Sequence, residues 1–303
     1  YPTVSNVEDY LAYQYGDWKT PSSSPFNKKK YLSSSVRRDS GINSRIISLL
    51  KRIFNLLKLN LSKLLRKIGI ERGSREKNFI FMYSHSLDKN SNILEVGSSD
   101  CSEIISALSN VNFLHTIKTV IVEPSKQNIL TSKRSLKRNL NNYKNIKFIN
   151  AAIGESSSSK EFFLSKSRPN LNSFTKLPFH TSSEVIKTLT LQEVYESQDL
   201  QTPLFIKMDI EGYEVKLLNS SVDFLKNLNN VKILIEVHPI TYNPDNCMKS
   251  ALTDLFNTGF DVLLVESAGK PIPMNFKREN YKPFKIENNR GLYEGVSKEF
   301  VLE

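Results

Sequence analysis

From Arg75 onward, short apolar runs alternate with stretches in which apolar residues recur every three or four positions. Short runs rich in Val and Ile read as strands, and the longer stretches of helical period read as helices. Strands are expected near 92–97, 119–123, 146–151, 203–209, 231–237 and 260–265. Helices are expected near 76–89, 102–110, 125–141, 190–198, 213–227 and 246–257. Their alternation predicts parallel strands joined by crossover helices, a doubly wound α/β domain over residues 76–268. A further extended pair is predicted around 160–165 and 185–189, and no internal repeat is visible. Beyond Gly269 the pattern dissolves into Pro, Asn and Lys, so residues 269–303 read as a peripheral tail.

The amino-terminal quarter is patterned differently. Residues 19–41 combine Ser, Pro, Gly and basic residues without apolar periodicity, as a linker does. From Ile42 to Ile70, apolar residues such as Ile46, Leu49, Ile53, Leu57 and Leu64 recur at helical spacing among seven basic residues, and no acid occurs between Asp39 and Glu71. This predicts a basic amphipathic helix or helix pair over residues 42–75. Two readings of it stay open. The apolar stripe packs on the α/β domain, or it lies on an anionic membrane surface, where each basic residue adds about 1 kcal/mol.

Charge sharpens the division. The chain of 303 residues carries a net charge of +11, but residues 1–75 hold fifteen Lys/Arg against five Asp/Glu, leaving 27 against 26 for the rest. A nucleic-acid enzyme draws much of its affinity from basic residues around the substrate cleft, so the near-neutral remainder argues against nucleic acid as a partner. Two cysteines in no repeating pattern imply no disulfide framework, which points to a reducing, cytoplasmic setting, with the basic segment against the inner face of a membrane in the second reading. No apolar run reaches membrane-spanning length. The chain starts with Tyr1, as a fragment or trimmed product would.

Candidate chemistry gathers at strand ends. The first strand runs into LEVGSSDCSE, residues 94–103, and in an open α/β sheet the ligand crevice lies beyond the carboxyl ends of the strands. Gly97 lets backbone approach a ligand, and Ser98, Ser99 and Asp100 place small polar groups at the helix entry; a tight turn capped by Ser102 is the plainer alternative. The second strand ends at Glu123, where a carboxylate can accept hydrogen bonds from both hydroxyls of a ribose. LFIKMDIEGYE, residues 204–214, makes a buried strand with Lys207, Asp209 and Glu211 concentrated at its end, costly unless those charges are paired or used. The next strand ends ILIEVHP, placing Glu236 and His238 at alternate positions. His238, with an ordinary pKa near neutrality, is the general-base candidate, Glu236 its orienting partner, and a structural role its alternative. Asp209, Glu236 and His238 could also hold magnesium or manganese, although the spacing does not demand it. His85, His115 and His180 lack such company.

LEVGSSD, VEPS, NAAIG (150–154), KTLTL (187–191) and above all LFIKMDIEGYE resemble the FkbM family of S-adenosylmethionine-dependent methyltransferases. The resemblance implies a class I methyltransferase fold with a seven-stranded sheet and O-methyl transfer, often to sugars or natural products. It also implies cofactor contacts from Glu95, Gly97, Ser98, Ser99, Asp100 and Cys101 in the turn, from Glu123 and Pro124 at the ribose, and from Ala151, Ala152 and Ile153 beside the adenine. Asp209 would face the methionine part of the cofactor, with Glu211 also among the cofactor contacts. On the chemistry of the strand ends themselves, His238 would take the proton, Glu236 orient the imidazole, and Lys207 or Asp209 fix the acceptor or cofactor. Cys101 stands where the family's turn usually has another glycine, so the loop must avoid a positive φ there or strain. A second resemblance, carried by VEDYLAYQYGDWKTP at residues 7–21, is to the carboxyl-terminal end of LicD-type phosphocholine transferases, which implies that residues 1–41 are the remnant of an upstream domain plus a linker. The expected function is methylation of a saccharide or cell-surface glycan hydroxyl. An RNA ribose methyltransferase and a degenerate, membrane-docked scaffold are the alternatives.

Overall fold

The computed structural model describes residues 75–140, 144–166, 169–267, 281, 283–287 and 290–302. The basic segment at 42–70 and the stretch at 7–21 lie outside the described residues. The chain divides into two units, Tyr1–Arg72 and Gly73–Glu303, and the described residues all belong to the second.

Helices and strands alternate as the periodicity predicts: α1 (Arg75–Ser86), β1 (Asn92–Val96), α2 (Ser102–Ser109), β2 (Lys118–Val122), α3 (Lys126–Asn139) and β3 (Ile146–Ile149). After β4 (Ala152–Ile153), β5 (Ser158–Leu164) and β6 (Ser182–Leu189) come α4 (Leu191–Ser197), β7 (Leu204–Met208), α5 (Glu214–Leu225), β8 (Val231–Ile235) and α6 (Met248–Asn257). The chain closes with β9 (Leu264–Ser267), β10 (Lys285–Glu287), β11 (Arg290–Glu294) and α7 (Lys298–Leu302). Helix starts follow local chemistry. Ser125 accepts from the Asn128 amide at 3.3 Å to open α3, and Thr190 with Glu193 forms a reciprocal capping box on α4.

The central sheet is parallel in the order β3-β2-β1-β7-β8, and alternate residues of its strands feed two cores. Leu94, Val96, Val120, Val122, Ile206 and Met208 pack under Leu191 of α4 and Leu217 and Leu218 of α5. Ile93, Ile121 and Phe205 face Tyr83 of α1 and Ile104 and Leu108 of α2. Burying each such side chain contributes about 1.5–3 kcal/mol, and helices on both faces make the fold doubly wound.

The sheet has five strands among the described residues, where seven are expected. Of the strand expected at 260–265 only Leu264 and Val265 are extended, as the start of β9, which hydrogen-bonds antiparallel to β11 in a separate three-stranded sheet with β10. Its backbone groups are thus used outside the central ladder. For the same reason the expected tail is not all peripheral: Leu292 of β11 is 0% exposed and belongs to the core under α1 and α2. The predicted extended pair forms as the β5–β6 hairpin, which pairs with β4 as a third sheet. Among the described residues, no helix is long and apolar enough to cross a membrane.

Candidate active site

Parallel register decides which residues meet. Val96 lies opposite both Val122 and Met208, and Met208 opposite Ile235, so the residues that follow them emerge along one edge. The ladder continues there: Gly97 N donates to Val122 O at 3.1 Å, Asp209 N to Val96 O at 3.1 Å and Glu236 N to Met208 O at 2.9 Å. Gly97, Glu123, Asp209 and Glu236, far apart in sequence, therefore share one sheet edge.

In the turn after β1, Gly97 adopts φ +79°, and a Cβ there would lie 2.0 Å from the Asp209 carbonyl oxygen, so only glycine fits. Ser98 is buried, Ser99 half-buried and Asp100 exposed. Cys101 is the N-cap of α2 and makes no side-chain capping bond; Asp100 Oδ1 accepts from the amide of Ser102, the first helical residue, at 3.0 Å. Cys101 does not escape the positive angle. It sits at φ 61° before α2, at a cost on the order of 1 kcal/mol for a residue with a Cβ. Its buried thiol accepts from Ser98 Oγ at 3.2 Å, and burial pushes its pKa up to about 12, which keeps it protonated and unreactive.

Glu123 is buried with both oxygens engaged. Oε1 accepts from Ser125 N at 2.8 Å and Asn128 Nδ2 at 3.2 Å, and Oε2 accepts from Ser98 N at 3.2 Å, joining the ends of β1 and β2. Burial raises its pKa to about 7 against the pull of these donors. Pro124 offers its carbonyl to Asn150 Nδ2 at 2.6 Å. Ala151 and Ile153 are buried in the same core as Val96 and Val122, while Ala152 turns to the small cluster with Phe162. Asn128 was not singled out by sequence; its place in the first turn of the helix after VEPS was the available signal.

Lys207 is 1% exposed and lies on the α1 face of the sheet, its ammonium 5.6 Å from the centre of the Phe79 ring. It reaches Glu103 at 3.0 Å, Asp209 at 3.2 Å, Glu95 at 3.5 Å and the Gly97 carbonyl at 3.4 Å, while Tyr83 OH donates to Glu95 at 2.6 Å. Burial alone would depress the lysine, yet Asp209, Glu95 and Glu103 hold its pKa well above the ordinary value. The ammonium is thus a permanent cation tying the glycine turn, α2 and the end of β7 together. Glu103 and Tyr83 carry no motif of their own, and their part in this cluster was not visible in the sequence.

After β7 the chain turns through two left-handed residues, Glu211 at φ 54° and Gly212 at φ 98°; a Cβ on Gly212 would lie 2.3 Å from Thr241 Oγ1. The turn brings Glu211 Oε2 to 3.7 Å and Asp209 Oδ1 to 3.6 Å from His238 Nε2. Glu236 does not orient the imidazole. β8 ends at Ile235 and His238 leaves the extended region at ψ 73°, so the alternation expected to align the two side chains stops short. The Nδ1 partner is Glu214, at 2.9 Å. Burial would lower the His238 pKa, but Glu214, Glu211 and Asp209 raise it to about 9, well above the expected neutrality. The group able to hold a cation changes accordingly. Asp209, Glu211 and His238, rather than Glu236, each bring one ligand atom within 4.8 Å of the others, and two carboxylate oxygens with an imidazole nitrogen suit a divalent ion. Of the other histidines, His180 lies in the β5–β6 connection, its Nδ1 accepting from Leu177 N at 2.9 Å, and neither it nor His85 nor His115 joins this edge.

The family described as the methyltransferase FkbM domain matches residues 95–269, more than half of the chain and all of the strand ends just described. No curated protein matches. Similar solved structures include methyltransferase FkbM from Methylobacillus flagellatus KT, at 19% identity over 49% of this chain and 33% of that one, with a TM-score of 0.33. Precorrin-6y C5,15-methyltransferase from Geobacter metallireducens GS-15 is 15% identical over 71% of this chain and 86% of its own, with a TM-score of 0.35. A methyltransferase from Geobacter sulfurreducens is 9% identical over 89% and 98%, with a TM-score of 0.32. The chain thus spans about a third of the first of these. At such scores the assignment rests on the family match, and on that match the chain belongs to the FkbM methyltransferase family.

Proposed function

We propose that the protein transfers a methyl group from S-adenosylmethionine to a hydroxyl of a saccharide. The observation that carries this reading is the shared edge at which Gly97, the Glu123 carboxylate and the Asp209–His238 pair meet. Gly97 and Ser98 would leave room for the cofactor, Glu123 would accept from its ribose hydroxyls, and the buried residues 151–153 would border its adenine. The sulfonium supplies an already activated methyl group, so the protein has chiefly to align the acceptor oxygen and take its proton. As the new O–C bond forms and the S–C bond breaks, the hydroxyl proton would pass to His238 Nε2, with Asp209 and Glu211 stabilising the imidazolium. A saccharide fits better than RNA because residues 76–303 are nearly neutral, with 27 basic against 26 acidic residues. Offering methyl-labelled S-adenosylmethionine with methyl glycosides, nucleotide sugars and a short RNA tests this directly. Label should enter a saccharide; label in the RNA alone, or in none, overturns the assignment.

Glu123 should bind ribose as a carboxylate. Glu123→Ala is expected to weaken S-adenosylmethionine binding by about 1–3 kcal/mol. With its pKa near 7, the wild-type carboxyl protonates as pH falls, so affinity should decline from pH 8 to pH 6 in the wild type and much less in the variant. Equal calorimetric affinities in the two proteins would refute the ribose role.

In the alternative reading, Asp209, Glu211 and His238 would instead hold a divalent cation, which would supply Lewis acidity toward the acceptor oxygen. A metal on Nε2 would occupy the lone pair that a base needs, so the two roles exclude each other. As a base, His238 predicts turnover unchanged by a chelator. Activity lost on chelation and restored by magnesium or manganese would reassign the trio to metal binding.

A further inference from the structure

We infer that Glu214, together with Tyr242, is the positioning residue that fixes the His238 ring and keeps Nε2 turned toward the site. The inference rests on the reading of His238 as the base. Glu214 is 0% exposed at the start of α5, and it is the convergence point of four donors. Its Oε1 accepts from Ile210 N at 3.1 Å, Gly212 N at 3.2 Å and His238 Nδ1 at 2.9 Å, and its Oε2 accepts from Tyr242 OH at 3.1 Å. The Tyr242 oxygen in turn accepts from the His238 backbone amide at 2.9 Å. The buried Glu214 and the partly buried Tyr242 therefore hold both the ring and the backbone of His238, and the same carboxylate closes the left-handed turn that carries Glu211, one of the two acids facing Nε2.

The direction of these bonds settles the ring's chemistry. A carboxylate surrounded by two backbone N–H groups and a phenol can only accept, so the Nδ1 nitrogen carries the hydrogen. Nε2 is then the nitrogen that exchanges a proton with an acceptor, and the ring cannot flip without leaving a buried carboxylate short of a donor. Because three of the four donors converge on Oε1, a glutamine would seat its carbonyl oxygen there and its amide beside Tyr242. Glu214→Gln thus preserves the turn and the ring contact while removing the charge that stabilises the imidazolium, and Tyr242→Phe removes the second anchor.

The test combines ring spectroscopy with a double-mutant cycle in the full chain. In nitrogen-labelled wild-type protein, His238 should show a protected, downfield Nδ1 proton that is missing from Glu214→Ala; its absence from the wild type overturns the proposal whatever the activity. On whichever saccharide of the panel accepts label best, Glu214→Gln should lower turnover about tenfold or more, and Tyr242→Phe less, with S-adenosylmethionine affinity unchanged. In a His238→Ala background, Glu214→Gln should cost almost nothing further. Effects that multiply would make Glu214 a structural residue only and overturn the proposal. A His238→Ala enzyme with full turnover would instead sink the base reading, and with it the role given to Glu214.

Discussion

His238→Ala is expected to lower turnover about a hundredfold or more while S-adenosylmethionine affinity stays nearly intact, because the lost group would act on the acceptor proton and not on the cofactor. The pH dependence should carry the same signature. Glu214, Glu211 and Asp209 raise the imidazole to about 9, so only about one molecule in a hundred has a neutral ring at pH 7. The base form grows about tenfold for each pH unit below that value. Turnover should therefore climb from pH 6 toward pH 9 and level off above it. A flat profile with full activity in the alanine variant would move the role to Asp209.

The second large effect is on stability. Lys207→Met keeps most of the apolar stem of the side chain but leaves Glu95, Glu103 and Asp209 without their shared cation, and Glu95 is itself buried against Tyr83. Removing one partner from a buried ionic cluster typically costs about 3–5 kcal/mol. A shift of the urea midpoint by the corresponding amount is expected at pH 8. The deficit should shrink toward pH 5, because burial already pushes the Glu95 pKa up and a protonated Glu95 no longer needs the lysine. A variant as stable as the wild type at pH 8 would show that the cluster is not holding the strand ends together.

What could be read from the sequence, and what could not, follows one physical division. Strand ends are local: the apolar runs before Gly97, Glu123 and Asp209 fix where each strand stops, and parallel pairing then aligns them without further information. The partners of those residues are not local. Lys207 meets Glu103 from α2, and Glu95 beside it accepts from Tyr83 of α1, neither partner lying within LFIKMDIEGYE. Glu236 and His238 looked paired because alternation was carried past Ile235, whereas the chain leaves the strand there and Pro239 opens a short turn. Glu214 stood inside the motif yet showed no role until the left-handed Glu211–Gly212 turn folded it back under His238. The seven-stranded expectation failed for a related reason. β9 finds its hydrogen-bond partner in β11, a short segment beyond Gly269 whose buried Leu292 makes no periodic pattern.

The most direct test of the account is a calorimetric titration of the full chain with S-adenosylmethionine. One saturable site per chain is expected, weakened by Glu123→Ala and untouched by His238→Ala. An absence of binding heat at several temperatures, with the protein folded, would contradict the assignment of the Gly97–Glu123–Asp209 edge as a cofactor site.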